Sequence, residues 1–360
     1  MSLDKNHPYF KAVTLVESDF KAVETCLTKL VENQQDYLNP EEQLFYTKGK
    51  KLRPLLFLLA AKIADREHHT LFPEKVHAGA ASIEMIHVGS LIHDDIVDKA
   101  PIRRGLPTIS ASRGYEIALI IGDLQWVKAT RLMSDFMETK DDIYLMKRFL
   151  ATGEEVCKGQ LDEMLTEPKE DIQSLVNRYY RTIDRKTGQL ISFACEGGAR
   201  IVNGLPSVVG NLKRYGTLMG RAFQVMDDVF DVVRPSENSG KEQLIDLKQG
   251  RLSLPILYTL RELPKDHFLQ NILKGSPLTD AQLEEGIAVI KRSNGWIEAA
   301  SEARAIAIKA IAQLELLPES PYQQILMELA DYTVNQSIYQ TDPIPHQNTN
   351  EQLTIKHIES

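Results

Sequence analysis

The chain has 360 residues, 43% of them apolar, enough to bury a sizeable core and to exclude disorder as a description of the whole. Its 50 acidic side chains outnumber 42 basic ones, giving a net charge of −8, and no basic block offsets repulsion from a phosphate backbone, so nucleic acid is not an expected partner. The longest apolar run, Leu55 to Ala61, falls far short of the roughly 20 residues that span a bilayer, and the first residues have no apolar signal core. Cys26, Cys157 and Cys195 show no paired spacing and read as packing residues. A cytoplasmic chain with no transmembrane segment is expected.

Apolar residues recur at intervals of three and four, and alternating β-branched stretches are almost absent, so the fold class is all-α. The period predicts a first helix over 10–33, followed by the segment Gly49-Lys50-Lys51-Leu52-Arg53-Pro54 and a second helix over 53–66. Lys50 and Arg53, three apart, can project from one face of that helix start, an arrangement suited to phosphate. Taken alone, the segment fits a solvated basic turn equally well.

A helix over 74–99 ends in Asp-Asp-x-x-Asp at Asp94, Asp95 and Asp98; Arg103 and Arg104 follow in a loop with Pro101 and Gly105. Further helices are predicted over 113–138, 141–166, 171–201 and 206–233, and the last repeats the acidic pattern at Asp227, Asp228 and Asp231. Lys241 follows within a short loop. Helices over 252–262, 279–293, 296–316 and 321–339 complete the series, with a capping box at Thr279 and Gln282 and an N-cap at Ser320 before Pro321. The Gly, Pro, Ser and Asn clusters near 203–207, 235–240 and 275–277 are too short for domain linkers, so one helical domain over 1–340 is expected. Residues 341–360 read as a polar, mobile C-terminal tail.

Residues four apart share a helix face, so Asp94 with Asp98, and Asp227 with Asp231, are carboxylate pairs whose repulsion costs about 0.2–0.5 kcal/mol even in water. Leu91, Ile92, Ile96 and Val97 flank the first cluster, and Phe223, Val225, Met226, Val229 and Phe230 the second. Carboxylates in apolar surroundings need a cation to stay ionised, and oxygen-only clusters suit Mg²⁺ completed by water and substrate phosphate. One such string is often just a charged helix face; two in matched apolar context argue for metal. With the basic residues they imply two phosphate sites, one bridged by metal and one bound by Lys and Arg alone. Positions 84, 87, 91, 94 and 98 form one stripe, which places His87 in the same cavity as the acidic pair as a phosphate contact. His93, turned about 100° from that stripe, reads as structural.

These motifs in this order, namely GKKLRP, HVGSLIHDDIVDKAPIRRGLPT, RKTG at 185–188, FQVMDDVFD at 223–231, and GK followed by DLKQGRLSLP, resemble the trans-polyprenyl diphosphate synthases over residues 45–340. The resemblance implies an isoprenoid synthase helical bundle around a central cavity, forming a homodimer. Its reaction is head-to-tail condensation of isopentenyl diphosphate with an allylic diphosphate. It also implies about three Mg²⁺ ions per active site, held by Asp94, Asp98 and Asp227 with Asp95, Asp228 and Asp231 in support. Arg103, Lys186 and Lys241 match contacts to the allylic diphosphate, and Thr187 and Gln224 match residues whose oxygens steady the allylic cation. Lys50, Arg53, His87 and Arg104 match the isopentenyl diphosphate site, and the departing diphosphate takes the final proton. Where the family usually has proline and then glycine after Gly240-Lys241, this chain has Glu242 and Leu244; Lys51 stands where arginine is common.

The growing chain is expected to run beside the first aspartate helix, where Gly89 and Ser90 are both small, and no insertion interrupts DDIVD. Both features favour a medium or long product over a farnesyl or geranylgeranyl one. Heteromeric members of the family leave open a second, smaller subunit, with this chain as a non-catalytic partner; against that, every aspartate and basic position is kept. A phosphohydrolase site starting at His93-Asp94 lacks its further ligands, and a terpene cyclase would not show two identical acidic motifs beside RRG and GKKLRP.

Overall fold

The structure is a computed structural model and describes residues 7–47, 49–165, 171–233, 247, 250–276 and 278–335; Lys241, Glu242, Leu244 and the tail at 341–360 lie outside the described residues. The helix expected over 10–33 is two, α1 (Pro8–Leu15) and α2 (Glu17–Glu32), because Val16 at the join leaves helical geometry at φ −126°. A short helix that the apolar period does not mark, α3 (Pro40–Thr47), starts in a reciprocal cap: the Glu42 amide donates to Asn39 Oδ1 (2.9 Å) and the Asn39 amide to Glu42 Oε2 (2.8 Å). Then come α4 (Leu52–Ala64) and α5 (Glu74–Val97). Next is a two-stranded hairpin, β1 (Ile102–Arg103) and β2 (Leu106–Pro107), whose two turn residues, Arg104 and Gly105, have φ of 52° and 76°. Positive φ at both positions is what a two-residue hairpin turn requires.

The chain continues through α6 (Ile109–Arg113), α7 (Tyr115–Ser134), α8 (Lys140–Met164) and α9 (Ile172–Ile183). The segment expected as one helix over 171–201 is interrupted by a π-helical turn at Asp184–Gly188 before α10 (Gln189–Ile201). After α11 (Pro206–Val233) come α12 (Leu254–Glu262), a 3₁₀ turn at Phe268–Lys274, α13 (Asp280–Arg292), α14 (Gly295–Leu314) and α15 (Pro321–Asn335). The capping box at Thr279 is present, and Ser320 Oγ accepts from the Gln323 amide at 3.1 Å.

The order of burial explains the packing. Every residue from Leu55 to Ala61 in α4 has 0% exposure, so this helix lies inside the molecule, with α5 and α10 against it. Burying each of its Leu and Phe side chains contributes about 1.5–3 kcal/mol. Close approach of α10 depends on Gly198: a Cβ there would lie 2.1 Å from the Phe57 carbonyl oxygen. Outward from this centre, α7 covers α5, and α14 covers α11. Among the described residues no helix is long and apolar enough to cross a membrane.

One buried ionic node ties α2 to α4 and α5. Asp19, 1% exposed, accepts from His77 Nε2 (2.8 Å) and the Phe72 amide (2.8 Å), and pairs with Lys62 Nζ (2.9 Å). Burial alone would raise its pKa, but these partners outweigh burial and hold the carboxyl below its ordinary value. Removing one partner of a buried pair leaves the other charge uncompensated. Asp19→Ala is expected to lower stability by about 3 kcal/mol in urea unfolding; a loss within experimental error would contradict this reading of the node.

Candidate active site

The acidic end of α5 is arranged as the four-residue spacing requires. Asp94 and Asp98 face one way: Asp94 lies 3.6 Å from Lys186 Nζ, and Asp98 accepts from Arg251. Glu163 of α8 closes the group, accepting from Lys186 at 2.6 Å and lying 3.6 Å from Arg251 Nε. Burial raises the pKa of Asp94 against the pull of Lys186. For Lys186 burial acts the other way, but Asp94 and Glu163 outweigh it and raise its pKa. Asp95 turns away from this group and is 3% exposed; Arg103 Nε donates to it at 2.6 Å. Burial still pushes that carboxyl up to about 6.

Across the cavity, Asp228 of α11 accepts from neighbouring side chains. Tyr179 Oη donates to it at 2.6 Å and Gln224 Nε2 at 3.0 Å, while Thr187 Oγ1 donates to Gln224 Oε1 at 2.8 Å. Asp227 and Asp231 flank it on the same helix. The π turn brings Lys186 and Thr187 into the cavity wall, and Arg221 Nε fixes the turn by donating to Asp184 at 2.8 Å. An extra residue in a helical turn re-aims the side chains around it, and such turns concentrate at functional sites.

Among the described residues no three carboxylates gather tightly enough to enclose an ion by themselves. Magnesium fits such a donor set: each acidic face offers a few carboxylate oxygens, and a Mg²⁺ ion that keeps its waters needs one or two from the protein and the rest from phosphate. Lys186 and Arg251 supply positive charge beside Asp94 and Asp98.

The basic residues gather at the other end of the α5 stripe. Arg53 and His87 line the same cavity as Asp94. Arg104 lies against Gly49, where a Cβ would meet Arg104 Nη1 at 2.7 Å, and its Nη1 donates to the Phe45 carbonyl at 3.3 Å. That approach explains the glycine of the GKKLRP segment, and Lys51 and Arg104 both hold left-handed backbone, at φ 45° and 52°. Lys50 is exposed, and its carbonyl accepts from Tyr9 Oη at 2.5 Å. Beneath them Glu84, 3% exposed, is the counter-charge: burial raises its pKa against Arg53, Arg104 and Lys51. Burial likewise brings Arg53 down to about 10. Arg53 Nε is buried without a hydrogen-bond partner among the described residues, a donor that an anion would satisfy; Glu84 Oε2 is likewise without one.

Asp94, Glu163 and Asp228 of the acidic rim and Arg53 and His87 of the basic cradle line one cavity of about 1180 Å³. Its deeper wall is apolar, with Leu91, Trp126, Val156, Ile183, Leu190 and Phe223. Ser90 is on that wall, its hydroxyl donating to the His87 carbonyl at 2.8 Å. Gly89 is not: its side faces α7, and a Cβ there would lie 2.7 Å from Trp126 Cδ1. The small residue at 89 therefore serves helix packing rather than opening the cavity directly. His93 lies over Gly122 and 3.2 Å from the Leu119 carbonyl, and it also lines the cavity.

Four participants escape a sequence reading. Glu84 stands in the α5 stripe and Arg251 within DLKQGRLSLP, so both carried a positional signal; Glu163 and Tyr179 look like ordinary polar positions on amphipathic helices.

The polyprenyl synthetase family model matches residues 34–290. The nonaprenyl diphosphate synthase of Mycobacterium tuberculosis is 33% identical over 293 residues, covering 81% of this chain and 84% of that one. Heptaprenyl diphosphate synthase component 2 of Bacillus subtilis is 31% identical over 324 residues, covering 89% of each. A crystal structure of polyprenyl synthase from Caulobacter crescentus, complexed with calcium and isoprenyl diphosphate, superposes with a TM-score of 0.78 at 25% identity, over 91% of this chain and 97% of that one. The chain belongs to the polyprenyl synthetase family, has its all-α fold, and is a prenyltransferase.

The cradle has a pH signature. Burial, and after it the charges of Arg53, Arg104 and Arg103, hold the His87 pKa well below its usual range. Between the unfolded value near about 6.5 and the lower folded one, the unfolded chain binds more protons, so His87 lowers stability as the pH falls through that window. His87→Gln is expected to make stability less dependent on pH between about 6.5 and 5, read by urea unfolding at a series of pH values. An unchanged slope would show that His87 is not held neutral.

Proposed function

We propose that this chain is a polyprenyl diphosphate synthase that condenses isopentenyl diphosphate head to tail with an allylic diphosphate, in the presence of Mg²⁺, to give a medium or long all-trans product. The observation that carries this reading is the meeting of three environments in one cavity: carboxylates at the rim, a basic cradle beside them, and an apolar interior below.

Mg²⁺ bound between Asp94 and Asp98 on one side and Asp227, Asp228 and Asp231 on the other would neutralise the allylic diphosphate and make it a better leaving group. The chain supplies the rest. Lys186, paired with Asp94 and Glu163 in the free protein, exchanges them for the diphosphate, whose own negative charge keeps the ammonium protonated. Arg103 and Lys241 add fixed charge where negative charge collects on the leaving group. Gln224 is oriented by its bond to Asp228, so its carbonyl oxygen and the Thr187 hydroxyl lie side by side in the wall, where they steady the allylic cation. Arg53, Arg104, His87 and Lys50 hold isopentenyl diphosphate, with neutral His87 donating one N–H to a phosphate oxygen. No side-chain base is needed if the departing diphosphate takes the proton.

A homodimer is supported by apolar residues left on the outer faces of α7 and α8: Ile120 and Val127 are each 64% exposed, Leu150 51% and Ile143 49%. The relative named as component 2 of a heptaprenyl synthase supports the alternative, in which the second polypeptide is a different one. Product length is supported on the long side by the nonaprenyl and heptaprenyl names of those relatives.

Incubation with Mg²⁺, labelled isopentenyl diphosphate and each allylic primer in turn tests the reading. Incorporation is expected from a species that sediments at twice the chain mass. Asp94→Ala or Asp228→Ala should each reduce kcat by about two orders of magnitude, and Arg53→Ala should raise KM for isopentenyl diphosphate about tenfold with a smaller change in kcat. Turnover that appears only when a second polypeptide is added would establish the heteromeric alternative; metal-independent turnover would overturn the mechanism.

A further inference from the structure

We propose that Tyr9 of α1 is a positioning residue for the basic cradle: its hydroxyl holds the backbone at Lys50, and so sets how the cations that take isopentenyl diphosphate stand to one another, a role that rests on the synthase reading. The need for such a hold begins in the sequence. The first bond of α4 runs from the Leu55 amide to the Lys51 carbonyl at 3.1 Å. The matching bond to Lys50 would come from residue 54, a proline with no N–H, so the helix offers the Lys50 carbonyl no α-helical donor. The chain bends at this point. Gly49 has φ 140° and Lys51 φ 45°, and a lysine keeps left-handed backbone only where its surroundings impose it.

Tyr9 supplies the missing donor. Its Oη donates to the Lys50 carbonyl at 2.5 Å, and the residue is 7% exposed. Burial, and after it the charges of Glu24 and Glu84, raise the phenol pKa, so the proton that makes this bond is kept at neutral pH. Fixing the carbonyl fixes the plane of the peptide that joins Lys50 to Lys51. On the far side of that peptide, Lys51 Nζ pairs with Glu24 of α2 at 3.2 Å. The bend is thus held by α1 through its backbone and by α2 through a side chain. It lies between Lys50 and Arg53, so its angle sets the separation of these two cations.

Helix α1 is anchored at its other side. The ring of His7, its N-cap, lies 4.3 Å from that of Tyr332, and Lys11 Nζ pairs with Glu328 at 3.1 Å, both partners on α15. The first helix therefore straps the last one to the cradle, although no residue of α1 lines the cavity.

The test uses the full chain. Tyr9→Phe keeps the ring and removes the bond to Lys50; Tyr215→Phe is the matched control, since its hydroxyl donates to the Leu326 carbonyl at 2.8 Å in the core between α11 and α15. With Mg²⁺ and an allylic primer, Tyr9→Phe is expected to raise KM for isopentenyl diphosphate about fivefold, with kcat and KM for the primer within about twofold of wild type. Tyr215→Phe should leave both KM values unchanged. Calorimetric titration with isopentenyl diphosphate in EDTA should show the same fold loss without turnover. A KM and an affinity within about twofold of wild type overturn the proposal, and so does an equal change in Tyr215→Phe, which would trace the effect to stability alone. A second readout needs no ligand. Hydrogen exchange in a peptide spanning 49–56 is expected to quicken in Tyr9→Phe and not in Tyr215→Phe. If the wild-type chain binds no isopentenyl diphosphate, the synthase reading fails and exchange decides: quickened exchange supports the hold on the bend, and unchanged exchange overturns it.

Discussion

Charge buried beside an apolar cavity is the constraint on which the site depends. One helix, α5, carries both signs of it: Glu84 and His87 lie among arginines at one end of the stripe, and Asp94 and Asp98 lie against Lys186 and Arg251 at the other. A carboxylate out of water is tolerated only next to a cation, and a guanidinium out of water only next to an anion. The protein meets these demands from its own side chains. On the proposed function, binding would be an exchange, with substrate phosphate taking the cations and Mg²⁺ the carboxylates.

Much of this was legible in the sequence, and the exceptions have physical causes. The helix expected over 206–233 is present as α11 and starts at Pro206, because it alternates a packed face with a polar one and its period is clean. The same period that pairs Asp94 with Asp98 also turns Asp95 away, as observed. The π turn at Asp184–Gly188 is invisible because one extra residue in a turn leaves composition unchanged and only shifts the phase. The orientation of Gly89 could not be read for a different reason. Helix α5 is buried around most of its circumference, so no polar face marks which side looks into the cavity and which packs on α7. Glu163 and Arg251 sit on partly exposed faces, where a charged residue carries no signal until its partner is known.

The tunnel and the outer surface are joined through α7 and α8. Trp126 looks inward between Gly89 and Gly153, while Val127, one residue on, is 64% exposed. The cavity wall and the outer apolar face are thus one helix thick.

The central claim is that the cavity holds two diphosphates by different means, one through metal and carboxylates and the other through fixed cations alone. Calorimetric titration of the full chain with isopentenyl diphosphate and with a non-ionising thiolo analogue of an allylic diphosphate, each with Mg²⁺ and with EDTA, tests it most directly. The account predicts that isopentenyl diphosphate binds with similar affinity in both conditions and that the allylic analogue binds only with Mg²⁺. Equal dependence of both ligands on the metal, or equal indifference to it, would contradict the account.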